Sequence, residues 1–348
     1  MNNFRCIRRT FLLGSVWPLA GLRMGPLRAE GKLEKSRVIL AVGGRTHLQY
    51  LPLTIAERLG YFSAEGLDIE VLDLATGLRS QQAVLEGAAD VSCGGFDGLV
   101  EHHANRNQPQ SFCLLARAPQ VAFGISTRAM PAFRKVSDLK GRKIGIVSTG
   151  SAAELVTAIV LAGAGLKLKD VQLVEAGGVG AALQAVRSGQ VDAIVHMEPV
   201  MTMLEQKGDV RIISDTRSLQ GSQELFGGMM PATCLFAPSN YLRAHPNTAQ
   251  AIANATVHAL KWLQTAGPSD LIKVLPEAHL FGDRALYLAA FGKLRESISL
   301  DGIMPEDGVK TALRAMRRLD AGFKADKVDA ERLYTNEFAR KAKEKFRA

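Results

Sequence analysis

With 348 residues, 47% hydrophobic and 22% charged, the chain is long enough for a substantial core and about two domains, and its composition excludes disorder and collagen-like order. A formal charge of +9 would suit nucleic acid if spread over a folded surface. Arg5, Arg8, Arg9, Arg23 and Arg28 all fall in the first 29 residues, with no acid among them, which leaves +4 for the rest and no reason to expect a nucleic-acid partner.

Residues 1–29 read as an export signal: a basic stretch ending in Arg8-Arg9, an apolar run from Thr10 to Leu22, then Arg23 and a short stretch to Ala29. The run is shorter than the roughly 20 residues a membrane span needs, and the layout is that of a removable signal. The segment Arg8-Arg9-Thr10-Phe11-Leu12 resembles the twin-arginine signal of bacterial proteins exported after folding; an ordinary secretory signal or a misplaced start are the alternatives. A periplasmic protein is therefore expected. Cys6 precedes the apolar run, where an acylated lipoprotein cysteine would follow it. Cys93, Cys113 and Cys234 are an odd number at wide spacing, so neither a disulfide framework nor a zinc pattern is visible.

The chain then alternates strands and helices. Residues 38–42 form an apolar strand, 52–59 a helix opening with Pro52, 67–72 a strand, 80–86 a helix and 90–93 a strand. The same order restarts with a strand at 143–147, a helix at 151–162, a strand at 171–174, a helix at 181–188 and a strand at 191–195. Apolar strands alternating with helices predict parallel sheets covered on both faces. The fold class is α/β with two lobes, each a mainly parallel sheet flanked by helices, and a ligand cleft between them. Residues 112–126 are expected to cross between lobes as a strand, 230–238 to return, and the helices at 248–264 and 285–295 with the basic tail to pack on the first lobe. Lobe 1 is thus expected over 37–122 and 232–348, and lobe 2 over 126–228.

Catalytic and metal motifs are lacking. Gly178-Val179-Gly180 begins like a dinucleotide fingerprint but reaches Leu183 where the motif needs a small residue. His102 and His103 are adjacent and point apart on a helix, which suits a solvated face, and no histidine pair has metal-ligand spacing. No cofactor, no metal and no catalytic residue is predicted. Six small-residue loops follow the strand ends: 43–47, 75–77, 94–97, 148–151, 176–178 and 196–199. In an open parallel sheet these lie on one edge, where ligands bind, and several lead into helices whose free amides attract anions. Any one of them taken singly reads as a turn or cap. Together they nominate Thr76, Gly77, Gly95, Phe96, Ser148, Thr149, Ser151, Gly178, His196 and Glu198, and Glu198 needs a partner if buried. Arg45 and Arg79 stand near the mouth as anion-binding candidates. Asp97 and Glu198 would repel an anion unless paired, yet suit an amine or ring N–H.

Three phrases, residues 52–70, 138–145 and 188–199, resemble the periplasmic substrate-binding proteins of ABC transporters for sulfonates, nitrate and thiamine-pyrimidine precursors. The resemblance implies a type II-like periplasmic-binding-protein fold that closes on a small solute (a sulfonate, nitrate, carboxylate or pyrimidine-like molecule) and docks on a membrane permease; a monomer is expected. By position it implies ligand contacts around Gln49 and Tyr50, Thr76 and Gly77, Gly95 and Phe96, Ser148 and Thr149, and His196 and Glu198. Where many members carry an aromatic residue after Pro-Leu, this chain has Thr54. Two alternatives stay open: a pyrimidine-precursor biosynthetic enzyme of the same fold, using His47 or His196, and a periplasmic ligand sensor that feeds no permease.

Overall fold

In the computed structural model, residues 31–101, 108–320 and 322–348 are described; the export signal and the pair His102 and His103 lie outside them. Within Leu33–Ala348 the strands are β1 (Arg37–Gly43), β2 (Asp68–Leu74), β3 (Val91–Gly95), β4 (Pro109–Leu114), β5 (Val121–Ser126), β6 (Lys143–Ile146), β7 (Gln172–Glu175), β8 (Ala193–Met197), β9 (Val210–Asp215) and β10 (Thr233–Pro238). They form two five-stranded sheets, ordered β2-β1-β3-β10-β4 and β7-β6-β8-β5-β9. In the first, β1 runs parallel to β2 and β3 while β10 opposes β3 and β4. In the second, β6 runs parallel to β7 and β8 while β5 opposes β8 and β9.

The central strands are buried on both faces, as continuous apolar runs require: Leu40, Val91, Ile144 and Val195 have no exposed surface. Helices open where the loops turn. Helix Leu51–Arg58 starts with proline in its first turn, and helix Gly77–Leu85 is capped by the Thr76 hydroxyl, which accepts from the Arg79 amide.

The single crossing strand expected over 112–126 is instead two strands in different sheets. The break spans residues 115–120, where Pro119 has no amide to donate and Gln120 adopts φ 60°. The crossing is tied to the returning chain: the amides of Leu115 and Ala116 donate to the Thr233 carbonyl at 2.8 and 3.0 Å, and the Ala232 amide donates to Ala116 at 3.0 Å. Strand β9 and helix Glu306–Leu319 go beyond the sequence reading.

One core lies under the first sheet and the long helix Pro246–Thr265, with Ile252, Ala255 and Leu260 inside it. A second core runs through both sheets, joining Phe96, Leu114 and Phe236 to Phe123, Ile144 and Val195. The C-terminal helices divide between the sheets: Glu337–Phe346 packs on Pro246–Thr265 and β4, whereas Glu306–Leu319 contacts Phe96–Glu101 and Ala152–Gly163. Cys93, Cys113 and Cys234, on three neighbouring strands, are buried free thiols. Burial pushes the Cys234 thiol up to about 12.

Candidate functional site

Strand ends from both sheets and the two crossing segments surround one cleft of about 860 Å³, its open mouth included. The first sheet contributes Gly43, His47, Gln49, Tyr50, Thr76, Gly77, Gln81, Gly95 and Asp97; the second contributes Val147, Ser148, Gly150, Ser151 and Met197. Pro119, Val121 and the returning residues Met230 to Thr233 complete the wall. A second chamber of about 760 Å³, likewise open, shares His47, Ala75, Thr76 and Val147 with the first and adds Asp73, Gly177 and Gly178.

Packing explains the wall. A Cβ on Gly43 would lie 2.3 Å from the Gly77 nitrogen, so only glycine lets the end of β1 meet the start of helix Gly77–Leu85. The Gly43 amide donates to the Tyr50 hydroxyl at 3.2 Å, holding that buried ring against the floor. A Cβ on Gly77 would meet nothing within 4 Å, so this face is free for a ligand.

Backbone donors converge on the cleft. The Thr76 side chain takes the Arg79 amide and the Thr76 carbonyl takes that of Ser80, leaving the amides of Gly77 and Leu78 without a partner among the described residues. The amides of Ala152 and Ala153, opening helix Ala152–Gly163, are left in the same way. Among the described residues, no lysine or arginine lines either chamber. Arg45 is paired with Glu57, and the Arg79 guanidinium reaches Gln82 at 3.3 Å. Among the described residues, Asp97 is the charged side chain on the first chamber; burial pushes its pKa up, against the lowering effect of hydrogen bonds from backbone amides. His47 separates the chambers with its Nδ1 buried and unpartnered, and burial lowers its pKa, so the ring is neutral at pH 7.

Of the residues nominated from sequence, Gln49, Tyr50, Thr76, Gly77, Gly95, Ser148 and Ser151 line the first chamber, and Gly178 the second. Five are not brought to either wall. Phe96 is fully buried in the core that joins the sheets, since its helix begins where a loop was expected. Thr149 turns away, its amide and hydroxyl both donating to Glu175 Oε1 at 2.8 Å. Arg79 lies on the outer side of its helix, exposed. His196 is buried behind the loop, donating from Nε2 to the Gly177 carbonyl at 2.8 Å, and burial lowers its pKa to about 4.

Glu198 is inside the protein. Its carboxylate accepts from the Thr202 amide and hydroxyl at 3.0 and 2.9 Å and from Arg217 Nη1 at 2.6 Å. Arg217, 1% exposed, also binds Glu205 and Asp215, and Glu205 is bridged to Lys293 on helix Arg284–Leu294. Burial opposes the Arg217 charge, but hydrogen bonds to Asp215 and Glu205 and the charge of Glu198 hold its pKa above the usual value. Thr54 is buried 3.5 Å from His279 Nε2, away from the cleft. Residues on the wall but not nominated include Gln81, one turn along from Gly77, and Pro119 and Thr233, whose crossing segments carry no local motif.

Comparison with known proteins gives a consistent picture. The model of a family described as NMT1/THI5 like matches residues 47–267. The putative binding protein YtlA of Bacillus subtilis is 23% identical over 278 residues, 79% of this chain and 77% of that one. A solved protein of Bordetella bronchiseptica RB50 is 46% identical with TM-score 0.87, covering 91% of this chain and 100% of its own. The alkanesulfonate-binding protein SsuA of Xanthomonas axonopodis pv. citri, solved with MOPS, has TM-score 0.67 at 17% identity, covering 89% of this chain and 98% of its own. This chain has the periplasmic-binding-protein fold, as two mixed sheets flanked by helices.

Proposed function

The chain belongs to the NMT1/THI5-like family, and from that premise we propose that it is the solute-binding component of an ABC importer. It would close two halves of the molecule on a small solute and hand it, unchanged, to a membrane permease. The observation that carries this reading is the cleft itself, whose walls come from the strand ends of both sheets and from both crossing segments. A solute held there becomes part of the contact between the halves, so it favours the closed state by its differential affinity. The names of the relatives, a putative binding protein and an alkanesulfonate-binding protein, favour the same class.

The lobes of this proposal are residues 37–122 with 232–348, and 126–228, and the binding residues are those of the nominated set on the cleft wall: Gln49, Tyr50, Thr76, Gly77, Gly95, Ser148, Ser151 and Gly178. The protein acts in the periplasm as a monomer, exported by the twin-arginine route. A chain starting at Glu30, titrated with sulfonates, nitrate, carboxylates, amino acids and pyrimidines, tests this. A ligand at 100 times its Kd stabilises by about 2.7 kcal/mol, which at about 2 °C per kcal/mol for a chain of this size raises the Tm by about 5 °C. X-ray scattering should show a smaller radius of gyration with that ligand. Consumption of a ligand would favour an enzyme instead, and no shift from a folded, ligand-free protein would overturn the reading.

A further inference from the structure

Resting on the reading of the cleft as a solute site, we propose that the solute is a small zwitterion whose cationic nitrogen docks on the Asp97 carboxylate. Two acids beside the strand ends were candidates for such a role from sequence, and the structure separates them. Glu198 is consumed by Arg217 and Thr202 inside the protein. Asp97 faces the cleft, makes no ion pair among the described residues, and has backbone amides for partners.

Asp97 also packs against the wall. A Cβ on Gly95 would fall 2.2 Å from Asp97 Oδ1, so one carboxylate oxygen sits over a glycine of the cleft wall, in space that any larger residue there would contest. The two arginines nominated near the mouth have other partners, Arg45 with Glu57 and Arg79 with Gln82. A half-buried carboxylate in a cleft without a countercharge raises the energy of the ligand-free state and repels an anion. It becomes favourable once a cation sits beside it. The acceptor end of the same solute is served by the unpartnered amides of Gly77, Leu78, Ala152 and Ala153 on the facing walls. With donors on two walls and one carboxylate on a third, the cleft complements opposite charges in one small molecule. It does not complement a bare oxyanion.

The test uses pairs of probes differing by one amine: 2-aminoethanesulfonate with ethanesulfonate, β-alanine with propionate, and 4-aminobutanoate with butanoate, alongside nitrate and an uncharged pyrimidine. Calorimetric titration of the chain from Glu30 should find an amine-bearing member binding at least tenfold tighter than its partner. Asp97→Asn should close that gap, while Asp97→Glu, which keeps the charge, should preserve its direction; circular dichroism confirms that each variant is folded. If nitrate, the pyrimidine or an amine-free member binds as tightly, or if Asp97→Asn keeps the gap, the solute-binding reading stands and this inference falls. If no probe binds and the wider panel is silent as well, the importer reading falls and takes the inference with it.

Discussion

Glu198→Gln is the sharpest test of how the molecule uses its acids. The side chain is fully buried, 2.6 Å from the guanidinium of Arg217, whose side chain is buried as well. Breaking an isolated buried pair by removing one partner costs about 3–5 kcal/mol, because a charge is left stranded. Arg217 is not isolated, since Glu205 and Asp215 remain within hydrogen-bond distance. Glutamine can still accept from Thr202. The loss therefore reduces to one charge-assisted hydrogen bond, about 1.5–3 kcal/mol. At about 2 °C per kcal/mol, scanning calorimetry at pH 7 should record a Tm about 3–6 °C below the parent, with affinity for any identified ligand within twofold. An unchanged Tm together with a tenfold change in ligand preference would refute the reasoning and return Glu198 to the site.

Four further outcomes are expected. Gly77→Leu and Ser148→Leu should abolish ligand binding while keeping a cooperative thermal transition, because a side chain at Gly77 enters open space; unchanged affinity in both would put the ligand elsewhere. Gly43→Ala should destabilise by about 1–3 kcal/mol and weaken binding, since its Cβ would press on the Thr76–Gly77 backbone; an unmoved urea midpoint would refute this. For His196 the folded pKa is depressed to about 4, so its contribution is complete above the unfolded value near 6.5 and is lost as pH falls through 4. The Tm gap between parent and His196→Gln should therefore narrow from pH 7 to pH 4, and parallel profiles would contradict it. Asp97 has a raised folded pKa, so its contribution is favourable below the unfolded value and lost as pH rises. Ligand-free Asp97→Asn should consequently melt above the parent at pH 7, with the difference vanishing near pH 3, and a lower Tm at pH 7 would count against it.

Much of the scaffold was legible because local rules agree with the global fold. Apolar runs such as 38–42 and 143–147 are strands, and helices begin where proline or a small capping residue allows. Which residues reach the cleft wall was legible where a loop's position alone decides exposure, as for Thr76, Gly77 and Ser148. It was opaque where the answer depends on a partner distant in sequence. Glu198 and Arg217 are 19 residues apart, and nothing local to either reveals the other. Thr149 is turned aside by Glu175, 26 residues on, and Phe96 by a core assembled from both sheets. The crossing at 115–120 was hidden because the residues flanking it are apolar enough to read as one strand.

The reversed strand in each sheet sets a timetable for assembly. The strands of the second sheet all come from residues 121–215, so its ladder waits for no later strand. The first sheet does wait: β10, at residues 233–238, sits between β3 and β4, which do not pair with each other. Until β10 arrives, both present bare backbone edges, the kind of surface that recruits other chains. During synthesis the portion made first is thus completed last. The vulnerable interval runs from the emergence of β4 to the docking of β10, and a chain cut short anywhere in between leaves β3 and β4 without the strand that pairs with both.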